Sequence, residues 1–334
     1  MEKIEQGILK NVDKFNNIKL AKGLDLTLYA TKDRKVNWQT VGISTETFGD
    51  KWIITPKGRG IFKTFDTFYS TSTKNIRICN ELLCKELCKQ VGVRCAEYEL
   101  AEIDGLKGLI TYDFVGKNKL VSLNHFIEID KKLDCNLLGC VEAFDKYAEK
   151  GYTFDKKQAI IDLYKLIVFD TLTLQTDRHE NNVNFLFEKG KKVSVATLFD
   201  NEFAFCGERL LKWVELERSQ DMTFSDILSE HVLESKIFTF DDEYVANAKR
   251  LHNNLQYITF YAKKHSALKT VLKNMLGNIN PTKAFMEIKK QGVSVNPYYQ
   301  KFVTEIIQNT KDMIKNHMHM RVYKQELADA ENIY

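Results

Sequence analysis

One feature limits the possible folds of this chain more than any other: a polar loop followed by an apolar hairpin and then an acid. The loop Thr176–Asn182 reads TDRHENN, and an apolar hairpin over residues 183–198 and then Asp200 follow it. If the Lys-Gly pair in the middle forms the turn, antiparallel pairing sets Asn182 roughly opposite Thr197. Asp200 then lies beside Asn182, although eighteen residues separate the two in the chain. The pattern therefore predicts a polar site at the end of the hairpin.

The polar side chains of this site are those that phosphoryl transfer from ATP requires. Asp177 is the candidate catalytic carboxylate, which orients an attacking hydroxyl or accepts its proton. Asn182 and Asp200 are candidate ligands of Mg²⁺, an ion that prefers hard oxygen ligands and leaves positions for phosphate. An ordinary turn with surface salt bridges is the alternative, and the hairpin leading to Asp200 argues against it. His179 is expected to shape the loop through backbone hydrogen bonds, and Arg178 to support it.

Length and composition indicate a globular protein. The 334 residues are 44% hydrophobic, with only three prolines and no low-complexity tract, which allows one large domain or two ordinary ones. The formal charge of +4 is a small surplus of 49 basic over 45 acidic residues. Nucleic-acid-binding proteins concentrate basic residues in a stripe, so no direct nucleic-acid partner is expected here.

The number of cysteines and the length of the apolar runs indicate the cellular compartment of the protein. Seven cysteines, an odd number without a CxxC pair, favour reduced thiols over a zinc site, and Cys84 and Cys88 are expected to pack as small apolar residues. The N-terminus lacks the apolar run of a signal peptide, and no membrane span is expected because eighteen consecutive apolar residues never occur. The chain is predicted to be cytoplasmic, although an effector exported without a cleaved signal would look the same.

The first 114 residues are predicted to be strand-rich around one helix. After a weak helical preface over residues 1–30, the predicted elements are strands Trp38–Ile43, Lys51–Thr55 and Ile61–Phe65, helix Asn75–Val91, and a hairpin of Tyr98–Ile103 with Leu106–Phe114. The run Pro56–Gly60 is interpreted as the turn before the third strand. The helix carries apolar residues at spacings of three and four, and Gly92 is expected to end it.

Helical periodicity dominates beyond residue 115, apart from the hairpin. The predicted helices are Leu120–Ile129, Leu137–Lys150, Gln158–Gln175 and most of the chain beyond residue 225. The run His317–Met320 is interpreted as part of a helix rather than as a soft-metal site. The predicted fold class is α+β, with a strand-rich N-lobe over residues 1–114 and a mostly helical C-lobe over residues 115–334 that carries the loop and the hairpin.

A lysine and a glutamate upstream of the hairpin are candidates for positioning a nucleotide. Lys63 lies in the middle of a predicted strand, where its ammonium would reach the α and β phosphates of ATP. Glu81 lies eighteen residues further on, at the rim of the apolar stripe of the helix, and would pair with Lys63. The alternative is an exposed pair of Glu81 with Lys85, one helical turn away.

Two further segments are candidates for the nucleotide site by position. The loop Ser44–Asp50 lies between the first two strands, where backbone amides of Ser44, Thr45 and Gly49 would cradle phosphate. It has one glycine and no GxGxxG pattern, so an ordinary polar turn is an equal alternative. Thr111–Phe114, where strands give way to helices, would offer backbone donors and acceptors to adenine.

The order of these parts resembles the HipA-like serine/threonine kinases, in particular the small single-chain members. The resemblance spans about residues 40–205 and rests on Asn80–Leu83 with Gly92-Val93, on Thr176–Asn182, and on Leu198–Asn201. It implies a two-lobed kinase-like fold, ATP and Mg²⁺ as cofactors, and transfer of phosphate to a serine or threonine of a protein substrate.

The same resemblance implies a role for each matching residue. Asp177 matches the catalytic aspartate, Asn182 and Asp200 match the metal ligands, and Lys63 with Glu81 match the nucleotide-positioning pair. Family members can phosphorylate their own phosphate loop, which makes Ser44, Thr45 and Thr47 candidate acceptors here. The extra N-terminal domain of full-length HipA toxins has no evident room in this chain, so pairing with an antitoxin through that domain is not expected.

Two other functions fit parts of the pattern. Phosphoinositide-type lipid kinases also use Asp-Arg-His followed by an asparagine five positions after the aspartate, but the chain shows no strong basic amphipathic helix for a membrane surface. A kinase-shaped binding module without catalysis is the other alternative. The weak phosphate loop favours it, and the intact Asp177, Asn182 and Asp200 argue against it.

Overall fold

A computed structural model describes residues 51–63, 71–103, 106–205 and 254–331, apart from the single positions 56, 176, 292, 294 and 296. The predicted N-terminal helix, the strand Trp38–Ile43 and the loop Ser44–Asp50 lie outside these residues. Within them, helices are combined with two small antiparallel sheets, which confirms the mixed architecture that the sequence predicts.

The first sheet has four antiparallel strands in the order β1-β2-β4-β3. The strands are β1 (Lys51–Thr55), β2 (Gly58–Lys63), β3 (Tyr98–Ile103) and β4 (Leu106–Tyr112), and helix α1 (Thr71–Val91) connects β2 to β3. The predicted strand Lys51–Thr55, the helix and the β3–β4 hairpin are therefore confirmed.

The turn between β1 and β2 is tighter than the glycine pattern predicts. Thr55 pairs with Gly58, so that only two residues form the turn, and Gly60 belongs to β2. A Cβ on Gly60 would lie 2.7 Å from Ile110 Cγ2 and 2.9 Å from the Thr111 carbonyl oxygen. Gly60 thus permits the close approach of β4 to β2, which a pattern of turn residues does not reveal.

Helix α1 is buried in the core over residues 77–88. Leu82, Leu83 and Leu87 are fully buried, as are Cys84 and Cys88, which pack as small apolar residues as predicted. Gly92 follows the helix with φ of 67°, a left-handed conformation that glycine adopts without strain. The six cysteines within the described residues are free thiols.

The second sheet has three antiparallel strands, β5 (Lys119–Ser122), β6 (Asn184–Glu188) and β7 (Lys192–Val195), in that order. The prediction of one helix over 120–129 is wrong for its first part, because Lys119–Ser122 pairs with β6 and only helix α2 (Leu123–Ile127) follows. Pairing with a distant strand has overridden the local periodicity.

The β6–β7 hairpin confirms the predicted strands but shifts their register by one residue. Glu188 pairs with Lys192, which leaves a turn of three residues instead of two. Gly190 and Lys191 in this turn have φ of 78° and 61°. Continued along the strands, this register sets Asn182 opposite Leu198 rather than Thr197.

Six longer helices follow in the described residues of the second part of the chain. They are α3 (Leu137–Glu149), α4 (Lys156–Leu172), α5 (Asn254–Lys264), α6 (Ser266–Asn278), α7 (Pro281–Lys290) and α8 (Pro297–Glu331). Helix α4 is buried almost all round in its second half, as expected for a central helix. Helix α7 packs against α1, and His317–Met320 lies within α8, as predicted. No helix in the described ranges combines the length and apolarity needed to cross a bilayer.

Candidate active site

The polar loop is fixed by hydrogen bonds among its own residues. The Asp177 amide donates to Gln175 Oε1 at 3.2 Å, and the Asp177 carbonyl accepts from the His179 amide and from Asn182 Nδ2, both at 3.0 Å. His179 Nδ1 accepts from the Asn181 amide at 3.2 Å, which is the loop-shaping role predicted for this ring. The Asp177 side chain is partly exposed, so its carboxylate is accessible from solvent.

Arg178 is a buried hub that joins the loop to the segment before Asp200. Its guanidinium donates to both Asp170 carboxylate oxygens, at 2.9 and 3.3 Å. It also donates to the carbonyls of Phe199 and Asn182, at 2.9 and 3.4 Å, and to Asn201 Oδ1 at 2.8 Å. The carbonyls of Asn182 and of Phe199, the residue before Asp200, thus share one guanidinium nitrogen. The sequence assigned Arg178 only loop support and gave no sign of Asp170.

Asp200 lies in this segment in an uncommon backbone conformation. Its φ is 61°, a left-handed value that costs a non-glycine residue free energy and often marks functional positions. The Lys63 ammonium lies 3.0 Å from Asp200 Oδ1. Burial alone would raise the pKa of Asp200, but the charges of Lys63 and Arg178 outweigh burial and hold the pKa below its ordinary value. The carboxylate is therefore ionised and suited to a cation.

Glu81 is buried beside Asp200, but Lys63 forms its ion pair with Asp200. Glu81 is fully buried, and its Oε2 accepts from the Asn201 amide at 2.9 Å. Burial raises the pKa of Glu81, and the nearby Lys63 ammonium opposes this shift. The alternative of an exposed pair with Lys85 does not match the structure, because Lys85 Nζ donates to the Tyr98 carbonyl at 3.2 Å and Glu81 has no exposed surface.

Glu202 completes a carboxylate cluster that the sequence reasoning missed. Each of Glu81, Asp200 and Glu202 places a carboxylate oxygen within 4.8 Å of the other two. Glu202 Oε1 also lies 2.9 Å from Arg77 Nη1. Burial, together with the charge of Asp200, raises the pKa of Glu202 to about 8 in spite of the cations nearby. The only sequence signal was a second acid two residues after Asp200.

Asn80 clamps the segment that follows Asp200 from the side of α1. Its Nδ2 donates to the carbonyls of Glu202 and Ala204, at 2.7 and 2.8 Å. The Tyr299 hydroxyl, on helix α8, donates to Asn80 Oδ1. The sequence marked Asn80 through its segment but gave no sign of Tyr299, which lies 219 residues away.

The segment Thr111–Phe114 runs from β4 toward the second part of the chain. Thr111 is buried in β4, and the amides of Tyr112 and Asp113 already donate to backbone carbonyls at 2.9 and 2.8 Å. The Phe114 ring packs on Phe199 with centroids 5.5 Å apart, directly before Asp200. Of the backbone donors predicted to face adenine, two are therefore used inside the protein.

The candidate phosphate-cradling residues Ser44, Thr45 and Gly49 lie outside the described residues. The structure thus brings Lys63, Glu81 and Asp200 into one cluster, and Arg178 links it to the loop of Asp177 and Asn182. Phe114 adjoins the cluster through Phe199, and Thr111 lies one β-strand away from Lys63 in the sheet.

Comparison with known proteins gives a consistent picture. The family model of the HipA-like C-terminal domain matches residues 32–268. No curated protein matches the chain. The crystal structure of the Helicobacter pylori proinflammatory kinase CtkA is similar with a TM-score of 0.62 and 17% identity, over 84% of this chain and 93% of that one. This similarity shows a shared fold.

A second solved structure is more distant. HipA of Shewanella oneidensis MR-1, in a complex with HipB and its operator DNA, gives a TM-score of 0.45 with 12% identity, over 77% of this chain and 57% of that one. The matched family range contains Lys63, Glu81, Asp177, Asn182 and Asp200. Tyr299 lies beyond it.

Proposed function

This chain belongs to the family of HipA-like C-terminal domains, and we propose that it is an ATP- and Mg²⁺-dependent serine/threonine protein kinase. One observation carries the proposal. The Lys63 ammonium of the four-stranded sheet meets the Asp200 carboxylate at 3.0 Å, across 137 residues of sequence, and Arg178 ties the Asp200 segment to the loop of Asp177. Lys63, Asp200 and Asp177 supply a lysine, a metal-binding acid and a catalytic carboxylate, which are the parts that phosphoryl transfer needs.

The residues present fit Mg²⁺ and a nucleotide. Asp200 is held ionised, and the Asn182 amide nitrogen is used by the Asp177 carbonyl, which leaves the amide oxygen to bind a cation. Asn182 and Asp200 would hold Mg²⁺, which neutralises phosphate charge when bound. Lys63 would bind the α and β phosphates, and Glu81 would orient Lys63 from the neighbouring helix.

Asp177 performs the proton chemistry in this proposal. Its carboxylate accepts a hydrogen bond from the serine or threonine hydroxyl and takes its proton. The hydroxyl oxygen bonds to the terminal phosphorus of ATP as the bond from that phosphorus to the bridging oxygen breaks, and ADP leaves. The Asp177 backbone amide donates to Gln175, and the Asp177 carbonyl accepts from the His179 amide and the Asn182 side chain, which fixes the position from which the carboxylate acts.

The lobes of the proposed kinase correspond to residues 1–114 and 115–334. The four described strands of the first sheet lie between residues 51 and 112, and the three of the second lie between 119 and 195. This separation supports a nucleotide-binding N-lobe and a C-lobe with the catalytic loop. The proposed partner is a protein with an acceptor serine or threonine, in the cytoplasm.

The experiment that tests the function is incubation with γ-labelled ATP and Mg²⁺, with the Asp177→Asn variant beside the wild type. Losing a positioned proton acceptor is expected to lower turnover by a factor of roughly 10² to 10⁴. Nucleotide binding, followed by calorimetry, should survive in Asp177→Asn and weaken in Asp200→Asn. The matched control is Glu142→Gln, since Glu142 is an exposed acid on α3.

The same incubation separates the alternatives. Phosphate found on serine or threonine of an added protein, or by peptide mapping on Ser44, Thr45 or Thr47, supports a protein kinase that also modifies itself. Phosphate found only on phosphatidylinositol vesicles contradicts the protein acceptor and indicates a lipid kinase. Equal ATP consumption by the wild type and Asp177→Asn contradicts catalysis and leaves a binding module.

A further inference from the structure

One buried glutamine contacts both of the segments that the proposed kinase reaction uses. Gln175 is 1% exposed, and its Oε1 accepts from the Asp177 amide at 3.2 Å. Its Nε2 donates to the Asp200 carbonyl at 3.3 Å, across 25 residues of sequence. The side chain therefore joins the backbone of the candidate catalytic acid to the backbone of a candidate metal ligand.

The two partners determine the orientation of this side-chain amide. The Asp177 amide can only donate a hydrogen bond, and the Asp200 carbonyl can only accept one. Gln175 must therefore present its oxygen to Asp177 and its nitrogen to Asp200, and the flipped orientation would lose both bonds. Because the side-chain amide is planar and rigid, the two bonds together fix how far apart the two backbones lie.

The backbone of Gln175 is itself anchored. Helix α4 ends at Leu172, and the Gln175 amide donates to the Asp170 carbonyl at 2.9 Å. Leu174, directly before Gln175, has φ of 44°, a left-handed conformation that costs a leucine free energy. Such a conformation persists only where the surrounding structure holds it. The glutamine side chain thus starts from a fixed point at the end of a buried helix.

Gln175 acts at different atoms from Arg178, which also links the two segments. Arg178 contacts the carbonyls of Asn182 and Phe199, whereas Gln175 contacts Asp177 and Asp200 themselves. We propose that Gln175 is a positioning residue, which fixes the position of the Asp177 carboxylate relative to the metal ligand Asp200 during phosphoryl transfer. This inference rests on the proposed function.

The reaction makes this relative position important. The acid has to lie within hydrogen-bond reach of the acceptor hydroxyl while the phosphate is held on the other side of the site by the metal ligands. A misplacement of about 1 Å between such groups can lower the rate by a factor of roughly 10². A residue that touches neither ATP nor the acceptor can therefore control turnover.

Two substitutions separate positioning from packing. Gln175→Met keeps the length of the side chain and removes both hydrogen bonds, whereas Gln175→Asn keeps the amide group but is too short to hold both partners. If Gln175 positions the segments, kcat falls in both, and by about 10²-fold in Gln175→Met, the slower of the two. The KM for ATP should stay within about threefold of the wild type, because Lys63 still holds Asp200. If Gln175 only fills space, the order is reversed, because asparagine leaves a cavity that methionine fills.

The matched control is Asn136→Ala, at another buried side-chain amide. Asn136 is 2% exposed, and its Oδ1 accepts from the Gly139 amide at 2.8 Å at the start of α3. Losing this helix cap should lower the free energy of unfolding, while kcat stays within about twofold of the wild type. A fall in kcat as large as that of Gln175→Met would overturn the positioning role, since general destabilisation would then explain both.

Hydrogen–deuterium exchange tests the same link without ATP. Exchange in Gln175→Met should be faster than in the wild type in the peptides that contain Asp177 and Asp200, and Asn136→Ala should leave both unchanged. Unchanged exchange in Gln175→Met, or a wild-type kcat in that variant, would overturn the positioning role and leave the kinase function standing. Faster exchange in Gln175→Met, together with a wild type that transfers no phosphate, would support the link and contradict the kinase function.

Discussion

Two buried clusters of charged residues lie side by side in this protein, and their charges are balanced differently. In the first, each of the five N–H donors of Arg178 has an acceptor, and both oxygens of Asp170 accept from it. In the second, within the described residues, Glu81, Asp200 and Glu202 share the two cations Lys63 and Arg77. Asn201 connects the two, since it contacts both Arg178 and Glu81.

The difference indicates that the first cluster maintains the fold and that the second is available for function. A saturated ion pair has nothing left to offer a ligand, so Arg178 and Asp170 hold the loop and the Asp200 segment together. An unsaturated cluster retains attraction for a cation and costs stability until the cation arrives. Depth of burial does not distinguish the two, because Asp170 and Glu81 are both at most 1% exposed. Within the described residues, the number of acids per cation does, since Arg178 pairs with Asp170 alone whereas three acids share Lys63 and Arg77.

The largest expected effect comes from breaking the balanced cluster. Arg178→Met removes five hydrogen bonds and leaves the Asp170 charge buried without a partner. We expect a loss of about 3–5 kcal/mol in the free energy of unfolding, which is a large share of the stability of a typical domain. Urea denaturation followed by circular dichroism measures it.

The matched control for Arg178→Met is the double variant with Asp170→Leu, in which neither charge remains. Replacing both partners should restore part of the lost stability, because the cost arises mainly from the unpaired acid. If Arg178→Met unfolds within about 1 kcal/mol of the wild type, the cluster is not architectural and the contrast between the clusters fails.

A smaller effect is expected at the clamp behind the unbalanced cluster. Tyr299→Phe removes the hydroxyl that donates to Asn80, which in turn holds the carbonyls of Glu202 and Ala204. An acceptor left unsatisfied at this buried position costs about 1–3 kcal/mol. We also expect weaker binding of ATP with Mg²⁺, because Asn80 holds the segment that follows Asp200.

The control for Tyr299→Phe is Tyr152→Phe, which removes a hydroxyl from a partly exposed tyrosine. Its unfolding free energy should stay within about 0.5 kcal/mol of the wild type. Lower stability with unchanged binding of ATP and Mg²⁺ in Tyr299→Phe would mean that α8 supports the fold but does not position the Asp200 segment. Tyr299 lies outside the matched family range, so this outcome also shows whether α8 contributes to the site.

Local patterns in the sequence predicted most of the fold that the structure describes. Apolar spacing found α1, and alternation around a turn found the β6–β7 hairpin, because both elements form between neighbours in the chain. The same reasoning missed β5, whose partner β6 is more than sixty residues away. It also placed the hairpin register one residue off, since strand patterns do not reveal whether a turn has two or three residues.

The site was predictable where it consists of one segment and unpredictable where it depends on packing. The loop with Asp177 and Asn182, and Asp200 beyond the hairpin, were found from spacing. The partner of Lys63, the role of Arg178 and the inclusion of Glu202 depend on distances between elements far apart in sequence. A charged residue in a sequence looks the same whether it ends exposed, saturated or short of a partner.

A third prediction compares the clusters through one kind of substitution. Glu202→Gln fixes the side chain in an uncharged state with the shape of the protonated acid, the form that the pKa of about 8 favours at neutral pH. Without divalent ions, we expect an unfolding free energy that is unchanged or up to about 1 kcal/mol higher. Asp170→Asn, the same change in the balanced cluster, should lower it. Equal losses in the two variants, measured in urea with EDTA present, would contradict the distinction.

The smallest expected effect belongs to an exposed ion pair whose N–O distance is shorter than those in either cluster. Lys156 Nζ lies 2.7 Å from Asp145 Oδ1, closer than the 2.9 Å between Arg178 and Asp170, but the two side chains are 43% and 54% exposed. Water competes for both charges, so Lys156→Ala should cost no more than about 0.5 kcal/mol, and the cost should vanish in 1 M salt. Urea denaturation at low and high salt measures both. A loss above about 1 kcal/mol that persists in high salt would mean that distance, rather than burial and saturation, sets what a charged contact contributes in this protein.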